Sequence, residues 1–356
     1  MKSKLNVFVN QLKAGELWLD HQRRFCFQYD KNWINSKDSY RLSVSLPLRE
    51  TAYLNDDSYS YFTNLLPEGK ILDILSRRLQ IPVSNQFELL RAIGGDCAGA
   101  VSLFEDGVLP QKPEMYSYDT LTDDHLLKII NELPENPFMA DEAGIRLSLA
   151  GAQEKLPVSL KNNKIRISMN GAPSSHILKT PIKDLHGTVE NETFCMMLAK
   201  RMGLTVPDVK IFKINEIPLY LIDRYDRKIE NGQIIRLIQE DFCQALNVNA
   251  QLKYSPTLDM CFSLIRDESA FQVKDTKRFL RLIIFNGLIG NSDAHAKNIS
   301  FLHGENGTMV TMVDRIVGEA KKTTEEFFDL YGESSVLYEI NDVIKNSSKE
   351  KLKVFS

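Results

Sequence analysis

Gly290-Asn291-Ser292-Asp293-Ala294-His295-Ala296-Lys297-Asn298 is the stretch on which the reading of this sequence turns. An apolar-rich run with helical spacing, Phe279 to Ile289, precedes it, and Ile299 to Leu302 follows as a short strand. A loop this polar has two readings. It is a well-behaved turn of Asn, Ser, Asp and Lys in which His295 is a satisfied structural histidine, or it is a site. The residue types carry chemistry. An aspartate can accept a hydroxyl proton, a lysine can offset charge on a transferred group, and an asparagine oxygen can ligate a hard cation such as magnesium. Asp293 and Asn298 stand five positions apart, the separation of base and metal-ligand asparagine in the kinase pattern H-R-D-x-x-x-x-N. On the residues alone both readings stay open.

Upstream, the pattern predicts strands over Leu147 to Leu149, Val158 to Leu160, Ile165 to Ile167 and His176 to Lys179. A helix from Thr188 to Met202 is predicted next, closed by Gly203, then strands Val209 to Ile214 and Leu219 to Asp223. Strands, one helix, strands and a helical remainder is the order of a kinase-like small lobe feeding a large one, an order shared by many α+β proteins. Three segments here can carry chemistry. Ser148-Leu149-Ala150-Gly151-Ala152-Gln153-Glu154-Lys155 has small residues that let backbone N–H groups approach an anion, or it is a tight hairpin. Lys179 ends a strand and can hold phosphates while pairing with Glu190 or Glu192, or it is a solvent lysine beside acids that complement a helix dipole. Asp223-Arg224-Tyr225-Asp226-Arg227 is a linker able to meet an adenine edge and a ribose, or a surface ion-pair cluster.

The first hundred residues read as a separate α+β block. Strand-like runs cover residues 4–10, 16–19 and 25–29, with Gly15 as the first turn residue, and Ser43-Val44-Ser45-Leu46 alternates with period two. Helices are predicted over Tyr59 to Leu66, Ile71 to Leu79 and Phe87 to Ile93, and a strand over Val101 to Phe104. Residues 106–140 are proline-rich around one acidic helical stretch, Asp123 to Leu133, and read as a connector.

The 356 residues suffice for two cores, and the net charge of −3 gives no sign of a protein that coats nucleic acid or an anionic membrane. The five scattered cysteines lack any C-x-x-C pair, which argues against a zinc knot and for a reducing cytoplasm. Neither a signal peptide nor a membrane span is legible.

Taken together, the segments resemble one family. Asn64-Leu65-Leu66-Pro67-Glu68, Gly94-Gly95-Asp96-Cys97-Ala98-Gly99-Ala100, Ser148 to Lys155, Ile177-Leu178-Lys179, Glu190-Asn191-Glu192, Asp223 to Arg227, Gln239-Glu240-Asp241-Phe242 and Asn291 to Asn298 resemble HipA proteins in order and spacing, over residues 4–303. The resemblance implies an α+β fold: a HipA-like N-terminal subdomain (1–105), a connector (106–140), a kinase-like small lobe (141–225) and a mostly helical large lobe (226–356). It implies ATP- and magnesium-dependent phosphoryl transfer to a serine or threonine of a protein, aminoacyl-tRNA synthetases being the known kind of target. It also implies a HipB-like helix-turn-helix antitoxin as partner, with DNA met mainly through that antitoxin, and no membrane partner.

By position, Ala150, Gly151, Ala152, Gln153, Glu154 and Lys155 would cover the phosphates and Lys179 would be the cleft lysine. Asp223, Arg224 and Tyr225 would line the adenine side, and Asp226 would meet the ribose. Asp293 would be the base. His295, Lys297 and Asn298 would finish the phosphate and metal site, with Lys297 catalytic and Asn298 on the metal. Ser148 matches a loop serine whose autophosphorylation silences such kinases. A small-molecule kinase and a catalytically inactive HipA-like protein that binds nucleotide or antitoxin are the alternatives.

The pattern departs from the family after Asn298. Gly304-Glu305-Asn306-Gly307 gives a hairpin turn, and Asp314 is placed by spacing alone to be the second metal ligand. Met312 to Phe328, however, reads as one amphipathic helix. The expectation is an internal deletion that removes the metal aspartate and the middle of the large lobe, leaving nucleotide binding with little turnover. Should the loop serine work as in the family, incubation with ATP adds a phosphoryl group at Ser148 in the wild type and not in Asp293→Asn. Intact mass with fragment mapping reads this, and an unchanged mass in an active preparation removes the idea.

Overall fold

The computed structural model describes residues 4–37, 39–139, 146–149, 153–291, 293–302, 323–331 and 335–355. The chain forms an α+β protein of two compact units. One comprises Met1–Ile177, Asp226–Thr257 and His295–His303; the other comprises Leu178–Tyr225, Leu258–Ala294 and Gly304–Ser356.

The first unit is built on a four-stranded antiparallel sheet, ordered Phe25–Tyr29, Leu12–Leu19, Lys4–Val9, Val101–Glu105. Its first turn is made by Asn10, at φ +53, and not by Gly15 as the sequence reading had it. Asparagine tolerates the left-handed region. Gly15 lies within the second strand, where a Cβ would fall 2.4 Å from the Gln28 carbonyl oxygen and 2.6 Å from the Phe27 ring. Only glycine fits under that ring.

Helices Gly69–Leu79 and Gln86–Ile93 follow the predicted positions closely, while Asn55–Thr63 begins and ends earlier than the predicted Tyr59 to Leu66. Ser43 to Leu46 is a turn closed by Leu46 N–H donating to Ser43 O (3.0 Å), not a strand. Its alternation has another cause: the buried Ser43 hydroxyl donates to Glu240 Oε2 (2.5 Å), and Val44 N–H donates to both Glu240 oxygens (3.1 Å each). The expected connector is partly structured. Ser117–Thr120 pairs with strand Lys164–Met169, which pairs in turn with Lys155–Lys161, and Thr122 caps helix Asp123–Glu132.

The division into units coincides with the expected boundary at 225, whereas 105 and 140 both fall inside the first unit, which buried polar side chains tie together. The Asp96 carboxylate accepts from Arg227 Nη2 (2.8 Å), Arg236 Nε (3.0 Å) and the Ser174 hydroxyl (2.8 Å). Arg236 lies on the hairpin Arg227–Glu230/Gln233–Arg236, turned at Asn231-Gly232 with both φ values positive. Strand Gln239–Asp241 pairs antiparallel with Ser300–Leu302, and Phe242 packs on Phe301 with ring centroids 4.9 Å apart.

The second unit packs helix Thr188–Arg201 on the hairpin Val209–Ile214/Ile217–Asp223. Its core joins Phe194, Leu198 and Met202 to Phe285 and Leu288 of helix Gln272–Ile289, with Phe327, Leu337 and Ile344. Arg281 closes the end of helix Thr188–Arg201 by donating to Met202 O (3.0 Å). At Gly187, φ +69, an added Cβ would meet the Val336 side chain. Asp314 and the hairpin turn at 304–307 lie outside the described residues, as does most of the helix expected over 312–328, of which residues 323–331 are helical. Among the described residues, no helix is long and apolar enough to cross a membrane.

Burial raises the Glu240 carboxyl from its ordinary 4.5 to about 7, against the opposing pull of the Ser43 and Val44 hydrogen bonds. Such a group keeps its proton to higher pH when folded than when unfolded. Its contribution to stability is full below about pH 4.5 and is lost as pH rises through 7. Glu240→Gln should therefore gain thermal stability relative to the wild type as pH rises from 5 to 8. A difference in Tm that does not change with pH would refute this origin.

Candidate functional site

In the second unit, Lys179, the last residue of strand His176–Lys179, faces helix Thr188–Arg201. Lys179 Nζ donates to both oxygens of Glu192, at 3.0 and 2.8 Å. Of the two acids the sequence offered, Glu192 is the one engaged. The pair is half-buried, with side-chain exposures of 23% and 31%, and the Tyr220 ring lies 5.2 Å from the ammonium. A strand-end lysine gripped through both carboxylate oxygens is held in one orientation while it stays accessible to a ligand.

Strand Ile217–Asp223 leads into the linker. Asp223 is exposed, Arg224 is buried and Tyr225 is 48% exposed. Asp226 belongs to the first unit and is buried there, its Oδ2 accepting from Gly99 N–H (2.7 Å) and Arg227 Nη1 (2.8 Å). That seat gives Asp226 a structural task in the first unit.

Ser148 is also in the first unit and fully buried. Its hydroxyl donates to Leu65 O (2.8 Å) and its N–H to Asp96 O (3.1 Å). Phosphorylation at Ser148 requires the hydroxyl to leave this seat. Gln153, Glu154 and Lys155 are half-buried at the start of strand Lys155–Lys161, and Ala150, Gly151 and Ala152 lie outside the described residues.

Helix Gln272–Ile289 stops at Gly290, φ +72, which supplies the left-handed cap. Asn291 Oδ1 then accepts from Asp293 N–H (3.0 Å), turning the chain so that Asp293 is exposed. His295 is buried, with the Tyr254 ring set edge-on at 4.9 Å. A short 3₁₀ turn spans Ala296–Asn298 and leaves Asn298 exposed.

The Lys297 ammonium is buried, donates to Asn64 O (3.0 Å) and Asn64 Oδ1 (2.8 Å), and is ion-paired with Glu68 at 3.2 Å from Oε1. These contacts anchor the loop. The sequence signal for this was the Asn64 to Glu68 segment, which the reading had matched by resemblance without giving it a task.

Two family models match the chain, "HipA N-terminal domain" over residues 5–104 and "HipA-like C-terminal domain" over residues 147–313. A protein of Sinorhizobium fredii named "Putative kinase Y4mE" is 37% identical over 316 residues, covering 85% of this chain and 74% of that protein. The "Serine/threonine-protein kinase toxin HipA" of Shewanella oneidensis is 30% identical over 320 residues, covering 85% of this chain and 72% of that one. The chain belongs to the HipA family. It shares its fold with a chain of the solved Shewanella oneidensis complex of HipA, HipB and operator DNA, at a TM-score of 0.75 and 24% identity over 97% of both chains.

A HipA-family lysine held in this way has a directional test. Glu192→Gln removes the charge that orients Lys179 and should weaken ATP binding by about tenfold, equivalent to about 1.4 kcal/mol. Glu190→Gln should leave it unchanged, both read by calorimetry. Equal effects of the two substitutions would mean that the observed pairing does not set nucleotide affinity.

Proposed function

We propose that this HipA-family chain is an ATP-dependent serine/threonine protein kinase of a toxin–antitoxin system. The observation that carries the reading is the Lys179–Glu192 pair at a strand end. In phosphoryl transfer, a lysine so held grips the α- and β-phosphates. Lys155 and the loop before it cover the phosphates, and Asp223 to Tyr225 meet the adenine. Asp293 takes the proton of the substrate hydroxyl as its oxygen bonds to the γ-phosphorus and the bond to the leaving ADP breaks.

Magnesium fits the donor chemistry of the loop. Asn298 is an exposed residue with an amide oxygen, and nucleotide-bound magnesium is usually held by only one or two protein ligands beside the phosphates. Asp314 would be the second ligand. Magnesium would supply charge neutralisation on the phosphate oxygens.

The likeness to a chain solved with HipB and operator DNA supports a HipB-like antitoxin as partner, with DNA reached through it. A protein substrate, an aminoacyl-tRNA synthetase by family resemblance, and a cytoplasmic setting complete the reading.

The test is transfer of radiolabel from γ-labelled ATP, with and without candidate synthetases. Label should move to protein in the wild type, and Asp293→Ala should abolish it while leaving ATP binding within about twofold, since a base acts in the transition state more than in binding. Binding without any transfer would overturn the kinase reading in favour of an inactive, nucleotide-binding HipA relative. Transfer to a small molecule alone would make it a small-molecule kinase.

A further inference from the structure

The Asn64 to Glu68 segment has no part in the phosphoryl-transfer reading, yet its polar side chains converge on the loop that does. Glu68 stands at the N-cap of helix Gly69–Leu79 and makes no capping hydrogen bond with its side chain. The carboxylate serves elsewhere. Glu68 Oε2 accepts from Lys253 Nζ at 2.9 Å, and Oε1 lies 3.2 Å from Lys297 Nζ. The side chains of Glu68, Lys253 and Lys297 are 14%, 20% and 2% exposed.

Both lysines grip the same short turn. Lys297 is its central residue, in Ala296–Asn298. Lys253 reaches it through the main chain, its carbonyl accepting from Ala296 N–H at 3.2 Å. The next residue, Tyr254, sets its ring against His295. Asn64, four positions before Glu68, accepts two hydrogen bonds from Lys297 through its carbonyl and its Oδ1. A single, mostly buried carboxylate thus pairs with two cations that are both bound to the turn.

The charge balance is consistent with this. Burial alone would raise the Glu68 carboxyl, but the Lys297 charge and the Lys253 hydrogen bond outweigh it and hold the group below the usual glutamate value. It is an ionised acceptor shared by two ammonium groups. Removing it leaves the Lys297 charge buried with only neutral partners, which is costly.

We propose that Glu68 is a positioning residue of the phosphoryl-transfer loop, fixing residues 295–298, and through them the metal-ligand side chain of Asn298, by clamping Lys253 and Lys297. The proposal rests on the reading of that loop as the phosphoryl-transfer loop. Glu68 touches no reacting group; it acts through the two lysines.

The experiment uses the full chain with Glu68→Gln, and Lys253→Met as a milder variant that breaks the clamp from its more exposed side. Amide hydrogen exchange reads the loop without needing turnover. Exchange at residues 295–299 should accelerate by about tenfold in Glu68→Gln, while the strands at 4–9, 12–19 and 101–105 keep their wild-type rates. The magnesium concentration for half-maximal label transfer should rise several-fold, with the affinity for metal-free nucleotide unchanged. Unchanged exchange at 295–299, or acceleration spread evenly over the first unit, would overturn the clamp. A loosened loop with unaltered magnesium dependence would overturn its positioning role. A loosened loop in a protein whose wild type transfers no label would leave the clamp standing and remove the kinase reading instead.

Discussion

The Asp96 carboxylate, fully buried, neutralises Arg227 and Arg236 at 2.8 and 3.0 Å, and the first unit is organised around that cluster. Four separate stretches of chain meet there. Residues 94–100 bring Asp96 with the Cys97 and Gly99 carbonyls, residues 146–148 pair with the Asp96 main chain, residues 171–174 supply Gly171 O and Ser174, and residues 226–236 supply the guanidinium groups. Every charge has a partner in the cluster, which is the condition for keeping it out of water. Breaking such a buried pair from one side costs about 3–5 kcal/mol, because the stranded charge remains. Its effect is to make residues more than a hundred positions apart fold as one body. That is why Asp226–Thr257 belongs with the N-terminal residues and not with the helices around it in sequence.

The same device recurs within this unit. Glu240 reaches back to the Ser43–Val44 turn, Gln244 donates to Tyr61 O, and Lys297 reaches Asn64 and Glu68. The second unit is held differently. Its core is an apolar cluster around Phe194, Phe285 and Leu337, and the charged contacts among its described residues, such as Arg201 with Glu326, lie toward the surface. Apolar packing tolerates repacking. A buried, saturated polar cluster does not, because each lost partner leaves an orphaned group. The part of the chain carrying residues 295–298 is therefore the part whose geometry is most tightly specified.

What the sequence revealed follows from the range of the forces involved. The helices Gly69–Leu79, Gln86–Ile93 and Thr188–Arg201 are legible almost to the residue, since apolar periodicity, and for the last two a glycine close after the end, are local signals. Gly15 was misplaced because a glycine required beneath a ring on a neighbouring strand looks the same as one required in a turn. Ser43 to Leu46 reads as a strand because its alternation reflects the Ser43 and Ser45 hydroxyls aimed at Glu240 and at the Gln244 carbonyl, about two hundred positions away, which no local window contains. The Asn231-Gly232 hairpin turn carried a strong local signal and was passed over in favour of the chemistry of the linker before it.

The site shows the same division between residue type and surroundings. Two lysines, Lys179 and Lys297, were both read as facing phosphate. They differ in how their protons are used. Lys179 spends its bonds on one carboxylate at a half-open strand end and keeps access to a ligand. Lys297 is 2% exposed at the side chain, donates twice to Asn64 and is ion-paired with Glu68. Burial distinguishes the two lysines where spacing does not. The buried lysine is still bound up with function, at one remove. It couples a loop near residue 297 to a segment 233 positions earlier, so the shape of that loop is tied to the N-terminal part of the chain. That dependence gives a physical reason for the Asn64 to Glu68 motif to accompany the loop in one polypeptide: neither half of the clamp has a satisfied charge without the other.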